Sequence, residues 1–368
     1  MKSLKILSLK VKAENPYSIY IGEDVSLYLG EFLNTLNLGN YGVILTNKTI
    51  FSLYQNYAQK IFKNSKRRTF TFKILPDTEK TKSLFYLTKI LNELGKLTYK
   101  ERVFFVCWGG GVIGDLGGFI ASIYKRGSPY IQIPTTLLSQ IDSSIGGKTA
   151  IDLKTGKNLV GSFWQPALVL TDISFLKTLP SSQIKEGLSE AVKYGLIKDK
   201  KLFEFIEKNH QRILEKKPLL KLIYSCVKIK KQIVEKDERE EKGIRTILNF
   251  GHTIAHGIES ASNYRISHGK AVSLGIISAL YISLKEGILK DKEIILRTEK
   301  VFKKIGFLLK IKIRTDKIWE AVKKDKKFIK GKTRLILLEN IGKPRIKEDI
   351  KASTILEGIR KITYLPYT

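Results

Sequence analysis

From YGVILTN to ALVLTD short apolar runs of strand length alternate with longer stretches, with no internal sequence repeat. The runs are YGVILTN, TFKIL, RVFFVCW (Arg102 to Trp108), YIQIP (ending at Pro134) and ALVLTD (ending at Asp172). Each has strand length and strand composition, and helical periodicity separates the early ones. Strands that are apolar on both faces need cover on both sides, so this rhythm predicts a largely parallel sheet flanked by helices. After about Phe175 the pattern changes. Segments 183–196, 200–215, 219–237, 245–261 and 269–286 carry helical periodicity, with few strand candidates before TRLILL. The expected division is an α/β domain over residues 1–174 and a mainly α-helical domain over 175–368.

With 43% hydrophobic and 27% charged residues, the 368-residue chain has an ordinary globular composition. No apolar run approaches membrane-spanning length. The N-terminus, MKSLKILSLKVKAENPYSIYIG, alternates like a strand and lacks a signal peptide's unbroken apolar stretch, so a cytoplasmic protein is expected. Cys107 and Cys226 lie in apolar surroundings and read as buried thiols. The net charge of +31 raises a nucleic-acid partner. Lysine, however, is spread along nearly every polar segment. The densest run, Lys323-Lys324-Asp325-Lys326-Lys327, is broken by a carboxylate and accompanied by no nucleic-acid motif. Neither a nucleic acid nor a membrane is expected as partner, and the basic surface suits an anionic, phosphorylated small molecule.

Gly109-Gly110-Gly111-Val112-Ile113-Gly114-Asp115 follows the strand ending at Trp108 and contains G-x-G-x-x-G. Glycines let a backbone approach a pyrophosphate at a helix N-terminus, as in a Rossmann-like sheet. The motif is not on the first strand and has no obvious acidic residue about 20 positions on, so a plain strand-to-helix turn also fits. The stretch from Pro134 to Thr149 adds weight, because its dense small polar residues, with Asp142 and Lys148, are poor core material. Lys157 and Asn158 supply further donors for phosphate or carboxylate.

Three of the four histidines, His252, His256 and His268, fall in LNFGHTIAHGIESASNYRISHGKAV. Imidazole is the commonest divalent-metal ligand. His252 and His256 are four apart, on one helical face, without the glutamate of H-E-x-x-H, so a carboxylate has to come from elsewhere. Glu190 in EGLSEAVKYGLI can be it; alone, it and Lys193 would read as a solvated i,i+3 pair. With His252 and His268 it makes a two-histidine, one-carboxylate set that leaves positions open for substrate oxygens, and His256 is left for proton transfer.

Together GGGVIGDLGGF, QIPTTLLSQIDSSIGGKTAID, GKNLVGSFWQP, EGLSEAVKYGLI, DERE, GIRTILNFGHT and HGKAV resemble 3-dehydroquinate synthase, a family of the sugar-phosphate cyclase superfamily. The resemblance runs from Asp77 to Lys327. It implies a cytoplasmic homodimer of the shikimate pathway, a carbon–oxygen lyase requiring NAD+ and one divalent metal, Zn2+ or Co2+. The substrate implied is 3-deoxy-D-arabino-heptulosonate 7-phosphate, which loses phosphate and closes to 3-dehydroquinate. Transient oxidation of a ring hydroxyl would acidify the neighbouring C–H, and the cofactor would end each cycle oxidised.

Motif by motif, the resemblance implies Glu190, His252 and His268 as metal ligands. NAD-contacting positions would be Asp77, Glu79, Lys82, Gly110, Gly111, Gly114, Asp115, Thr135, Thr136, Asp142, Lys148, Lys157, Phe175, Leu176, Lys177 and Thr178. Substrate positions would be Arg126, reaching a neighbouring subunit, with Lys148, Asn158, Lys193, Lys230, Arg245, Asn249 and Lys326 or Lys327. Asp142, Lys148, Glu241 and His256 would be catalytic. Three departures stand out: Ser182 and Gln183 replace a usual Arg-Glu, Lys270 replaces a common glutamate, and one residue is added before Arg245. Counting back from Arg245 selects Glu241, whereas counting forward from Lys230 selects Glu240; Glu241 keeps the spacing to the histidine helix. Relatives of the superfamily making an inosose or valiolone would share the metal set and the NAD site. A polyol dehydrogenase would show net NADH.

Overall fold

The computed structural model describes residues 5–63, 68–324, 328–329 and 332–364. The chain forms two compact units, one of residues 1–179 with 230–239, the other of 180–229 with 240–368.

In the first unit an antiparallel pair, β1 (Leu7–Val11) and β2 (Tyr17–Gly22), precedes α1 (Leu29–Thr35). Then come β3 (Tyr41–Asn47), α2 (Lys48–Lys63), β4 (Thr69–Leu75), α3 (Leu84–Leu97) and β5 (Val103–Gly109). They are followed by α4 (Gly111–Ile123), β6 (Tyr130–Pro134), a hairpin of β7 (Lys148–Leu153) and β8 (Gly156–Phe163), and β9 (Leu168–Asp172). The seven-stranded sheet runs β1-β2-β9-β6-β5-β3-β4 and is parallel except for its first pair. The five strand runs expected before Phe175 are all in it.

The central strand shows why. Every residue of β5 is buried, and its side chains alternate between two cores. Val103, Phe105 and Cys107 pack with α3 and α4 residues on one face, while Phe104, Val106 and Trp108 pack with α1 and α2 residues on the other. From β3 the chain steps outward to β4, then returns to β5 on the other flank of β3. The carboxyl ends of β3 and β5 thus form a topological switch point, where open α/β sheets bind ligands.

The second unit is mainly helical: α5 (Ser181–Lys198), α6 (Lys200–Leu214), α7 (Leu219–Val234), α8 (His252–Ala261), α9 (His268–Lys285), α10 (Glu293–Ile305) and α11 (Thr315–Lys323). The end of α7, from Lys230, belongs to the first unit. A small antiparallel sheet, β10 (Phe328–Ile329), β11 (Lys332–Asn340) and β12 (Lys343–Glu348), precedes α12 (Ala352–Arg360). Only the part of β11 in TRLILL was foreseen from sequence. Helix α9 is apolar around its circumference and buried along most of its length, with α5, α8, α12 and β11 against it. The helical run expected over 245–261 is divided. A 3-10 turn covers Arg245–Asn249, and Gly251 at φ 77° resets the direction before α8. A Cβ on Gly251 would lie 2.7 Å from the Ile276 backbone nitrogen, so the glycine lets α8 start hard against α9.

Candidate active site

Glu190 sits in the middle of α5, and His252 and His268 are the first residues of α8 and α9. Two helix starts and one helix face thus present a single oxygen and two nitrogens to one point, all within 4.8 Å of one another. Glu190 Oε1 lies 3.2 Å from His252 Nε2 and 3.4 Å from His268 Nε2. The carboxylate is 1% exposed and neither oxygen accepts a directed hydrogen bond, although Lys193 Nζ is in ion-pair contact with Oε2. Burying a carboxylate costs several kcal/mol unless cations meet it; Lys193 does so at Oε2, and a divalent metal would do so at Oε1 beside the two imidazoles. The chemistry of the donors fits: two imidazoles and a carboxylate, with room left for substrate oxygens.

The imidazoles are held by their far nitrogens. His252 Nδ1 faces the Phe250 carbonyl at 3.2 Å, which only an N–H satisfies, so Nε2 carries the lone pair. His268 Nδ1 faces Glu259 Oε1 at 3.4 Å. This carboxylate, 6% exposed on α8, completes a carboxylate–histidine arrangement that orients a metal-binding ring. Glu186 takes the next position outward. It accepts from Ser267 Oγ at 2.6 Å and from the Gly269 backbone N–H, fixing the start of α9 at His268. Sequence reasoning missed both. The signal for Glu259 was its place two turns after His252 and one after His256 on the same helix.

Electrostatics follow this geometry. Burial opposes ionisation of Glu190, yet Lys193 and His252 outweigh it and hold the carboxyl well below the usual range. Burial pushes His252 down to about 4, so it is neutral at pH 7 and able to ligate. Burial also works against charge on His268, but Glu190 and Glu259 outweigh it and raise it to about 10. His256 lies one turn beyond His252, ring centroids 5.6 Å apart, and is exposed.

In the first unit the switch point carries the glycine turn. Gly110 caps α4, and a Cβ there or on Gly111 would come within 3.2 Å of the Thr136 side chain and 3.3 Å of Ser143 Oγ. Thr136 and Ser139 lock the facing turn by a 2.8 Å hydroxyl–hydroxyl bond, while the buried Thr135 hydroxyl has no hydrogen-bond partner. At the end of β3, Asn47 donates to Asp77 Oδ1 at 3.0 Å. Lys82 bridges Asp115, at 2.5 Å, and Asn158. Burial disfavours its ammonium, but Asp115 outweighs that and holds its pKa above the ordinary value. Asp142 lies in a π-helical turn, Ser139–Ser143, and accepts from Lys230. Open glycines at a helix N-terminus, amid hydroxyls and a paired cation, can take a nucleotide's phosphates.

Domain families described as 3-dehydroquinate synthase N-terminal and 3-dehydroquinate synthase C-terminal match residues 72–186 and 187–328. The 3-dehydroquinate synthase of Thermodesulfovibrio yellowstonii is 40% identical over 95% of this chain and 97% of its own. That of Dictyoglomus turgidum is 46% identical over 78% and 81%. The chain belongs to the 3-dehydroquinate synthase family. Among solved structures, 2-deoxy-scyllo-inosose synthase complexed with carbaglucose-6-phosphate, NAD+ and Co2+ superposes with a TM-score of 0.82 at 26% identity, covering 96% of this chain and 99% of that one. The valiolone synthase of Streptomyces hygroscopicus, with NAD+ and Zn2+ bound, gives 0.84 at 23% identity over 96% and 98%, a likeness of fold.

Other positions that the synthase pattern selects fall as follows. Phe175 and Leu176 are core residues in a 3-10 turn, so their side chains serve packing, and Tyr54 bonds Thr178 at 2.6 Å. Lys177 pairs with Glu23 at 2.5 Å, and Lys157 with Glu79 at 3.6 Å. Lys148 is exposed at the start of β7. Lys193, Lys230 and Arg245 are all buried, with Lys193 paired to Glu190 and Lys230 to Asp142, and Asn249 is half-buried. Glu240 takes a left-handed backbone at φ 61°, and Glu241 is exposed beside it. Ser182 and Gln183 lie in the exposed first turn of α5. Lys326 and Lys327 lie outside the described residues.

Proposed function

We propose that this chain is an NAD- and metal-dependent 3-dehydroquinate synthase that converts 3-deoxy-D-arabino-heptulosonate 7-phosphate into 3-dehydroquinate, releasing phosphate as a carbon–oxygen lyase of the shikimate pathway. The carrying observation is Glu190, buried, with its Oε2 on Lys193 and its Oε1 flanked by the Nε2 atoms of His252 and His268. The 40% identity to a 3-dehydroquinate synthase over nearly the whole chain, against 26% to the inosose synthase, favours the dehydroquinate reaction. Bound NAD+ would supply a reversible hydride acceptor, and Zn2+ or Co2+ a Lewis acid for substrate oxygens.

The chain's own residues then have distinct tasks. Gly110, Gly111, Gly114 and Asp115 line the cofactor phosphates, with Asp77, Glu79, Lys82, Thr135, Thr136 and Lys157 around them. Lys193, Lys230, Arg245 and Asn249 hold the anionic ends of substrate, with Asn158 and Lys148 supporting. His256 is exposed on the helical face of His252 and serves proton transfer, and Asp142 and Glu241 are further candidates to orient reacting hydroxyls. Arg126 has a left-handed backbone, is exposed, and has no hydrogen-bond or ion-pair partner among the described residues. That supports a homodimer in which it serves the second subunit's site. No helix among the described residues is long and apolar enough to cross a membrane, in keeping with a cytoplasmic location.

The test is phosphate release from the heptulosonate phosphate, with and without NAD+ and a chelator. Turnover that needs both NAD+ and metal, with no net NADH, is expected. Sedoheptulose 7-phosphate, which lacks the carboxylate, should react poorly; a preference for it would leave the cyclase superfamily and remove the dehydroquinate assignment.

A further inference from the structure

A cavity of about 650 Å³ opens in the second unit, walled by the turn after α8, the first turn of α9, the segment before α11 and Tyr364. Six of its 14 lining residues are cations and none is acidic, whereas the whole chain has 66 Lys+Arg and 35 Asp+Glu in 368 residues. General lysine richness therefore does not account for it. The cations are Arg265, Lys270, Lys310, Lys312, Arg314 and Lys317. Arg314 is satisfied by Asp316, through bonds of 3.0 and 2.7 Å. Among the described residues the other five have no carboxylate partner. Five like charges around one concavity repel each other and raise the local positive potential, which an anion relieves.

The wall is built, not frayed. The Ile311 N–H donates to the Ile362 carbonyl at 2.9 Å, the Tyr364 N–H donates to the Ile311 carbonyl at 3.1 Å, and Thr315 and Thr363 hydroxyls meet at 3.1 Å. Leu308 and Tyr364 are exposed large apolar groups at its edge, and Lys310 lies 5.7 Å from the Tyr364 ring centroid. Lys270 is two residues past the metal-ligand candidate His268 on α9. At about 100° per residue their side chains point roughly 200° apart, so the cavity lies on the other flank of that helix.

The geometry points to a second ligand site, distinct from the candidate active site, for a small organic anion: a phosphate or carboxylate carried on a ring. The cations meet the oxyanion and Leu308 with Tyr364 cover the ring. The cavity's volume falls in the range of small-molecule pockets.

The probe is phenyl phosphate, titrated calorimetrically at fixed ionic strength into the full chain, the K310Q/K317Q variant, the separate K312E variant, and a K200Q/K343Q control that removes two exposed charges elsewhere. Tenfold or greater weakening in both cavity variants, with no change in the control, is expected, as is weaker binding of inorganic phosphate than of phenyl phosphate. Equal weakening in the control would assign binding to diffuse surface charge and overturn the site. Unchanged binding in both cavity variants would assign it to another site, including the candidate active site, and also overturn it. Equal affinity for inorganic phosphate would remove the ring from the proposal.

Discussion

His268 is held between two buried carboxylates: on one side its Nδ1 lies 3.4 Å from Glu259 Oε1, and on the other its Nε2 faces Glu190. Glu259 thereby fixes which nitrogen can reach a metal, and it raises ligand basicity without touching the ion. Glu259→Gln should lower divalent-metal affinity about 10- to 100-fold while leaving one site per chain. His268→Ala should abolish the site and turnover together. Metal titration of chelator-treated protein measures both, and full occupancy in His268→Ala would sink the ligand assignment.

The cofactor reading is tested at Gly111. A Cβ there would stand 3.3 Å from Ser143 Oγ, and valine's methyls would reach further into the same turn. Gly111→Val should weaken NAD+ binding at least tenfold, read by equilibrium titration of metal-loaded protein whose folding is confirmed by circular dichroism. A variant that binds NAD+ like the parent would remove the glycine turn from the cofactor site.

How far the sequence reached can be judged at these same residues. Strands β3, β5, β6 and β9 were legible because nearly every residue in them is buried and therefore mostly apolar, whereas the half-exposed edge strand β4 was legible from its closely spaced Phe, Ile and Leu residues. The hairpin β7–β8 was read only as a polar segment, since Lys148, Lys157 and Asn158 are exposed on it and Leu159 and Phe163 are exposed as well, which leaves β8 no buried face to read. The π-helical turn at Asp142 has no hydropathy signal at all. The glycine run was legible as a turn but not in full. A Cβ on Gly117 would lie 2.4 Å from Cys107 Sγ, and one on Gly118 2.4 Å from Thr149 Cγ2, so those two glycines let α4 press against β5 and the hairpin. The metal triad was legible from residue types. Glu259 and Glu186 were not, because a carboxylate that bonds a ligand's far nitrogen or a helix start looks like any other helical glutamate.

Stability should depend on pH through the α6–α10 contact. Arg297 donates to both oxygens of Glu207, at 3.0 and 2.7 Å, and holds that carboxyl below its ordinary value. A depressed carboxylate contributes stability that is present above its unfolded pKa, near 4.3, and is lost as pH falls through the folded value. The pair is partly exposed, so the contribution is about 0.5–1 kcal/mol at pH 7. Denaturant unfolding of Glu207→Gln should show that loss at pH 7 and a shrinking difference from the parent below pH 4. A difference that stayed constant down to pH 3 would mean packing of Arg297 on Phe203, 5.2 Å away, carries the effect.

The substrate reading turns on Lys193, which is 2% exposed and in contact with Glu190. Its charge can serve either the carboxylate alone or an incoming phosphate as well. Losing a charge-assisted contact to a bound anion costs about 1.5–3 kcal/mol. Lys193→Gln should therefore raise the half-saturating substrate concentration roughly 10- to 100-fold, or lower turnover to match. The same change takes a positive charge away from the metal ligands, so by Coulomb's law it should not weaken a divalent cation's binding. Metal content and substrate saturation measured on one preparation separate the two roles. Normal saturation kinetics with intact metal would reduce Lys193 to a partner of Glu190. Loss of metal would show that it holds the ligand face of α5 in place. Weakened substrate binding with metal retained is the outcome expected of a phosphate anchor.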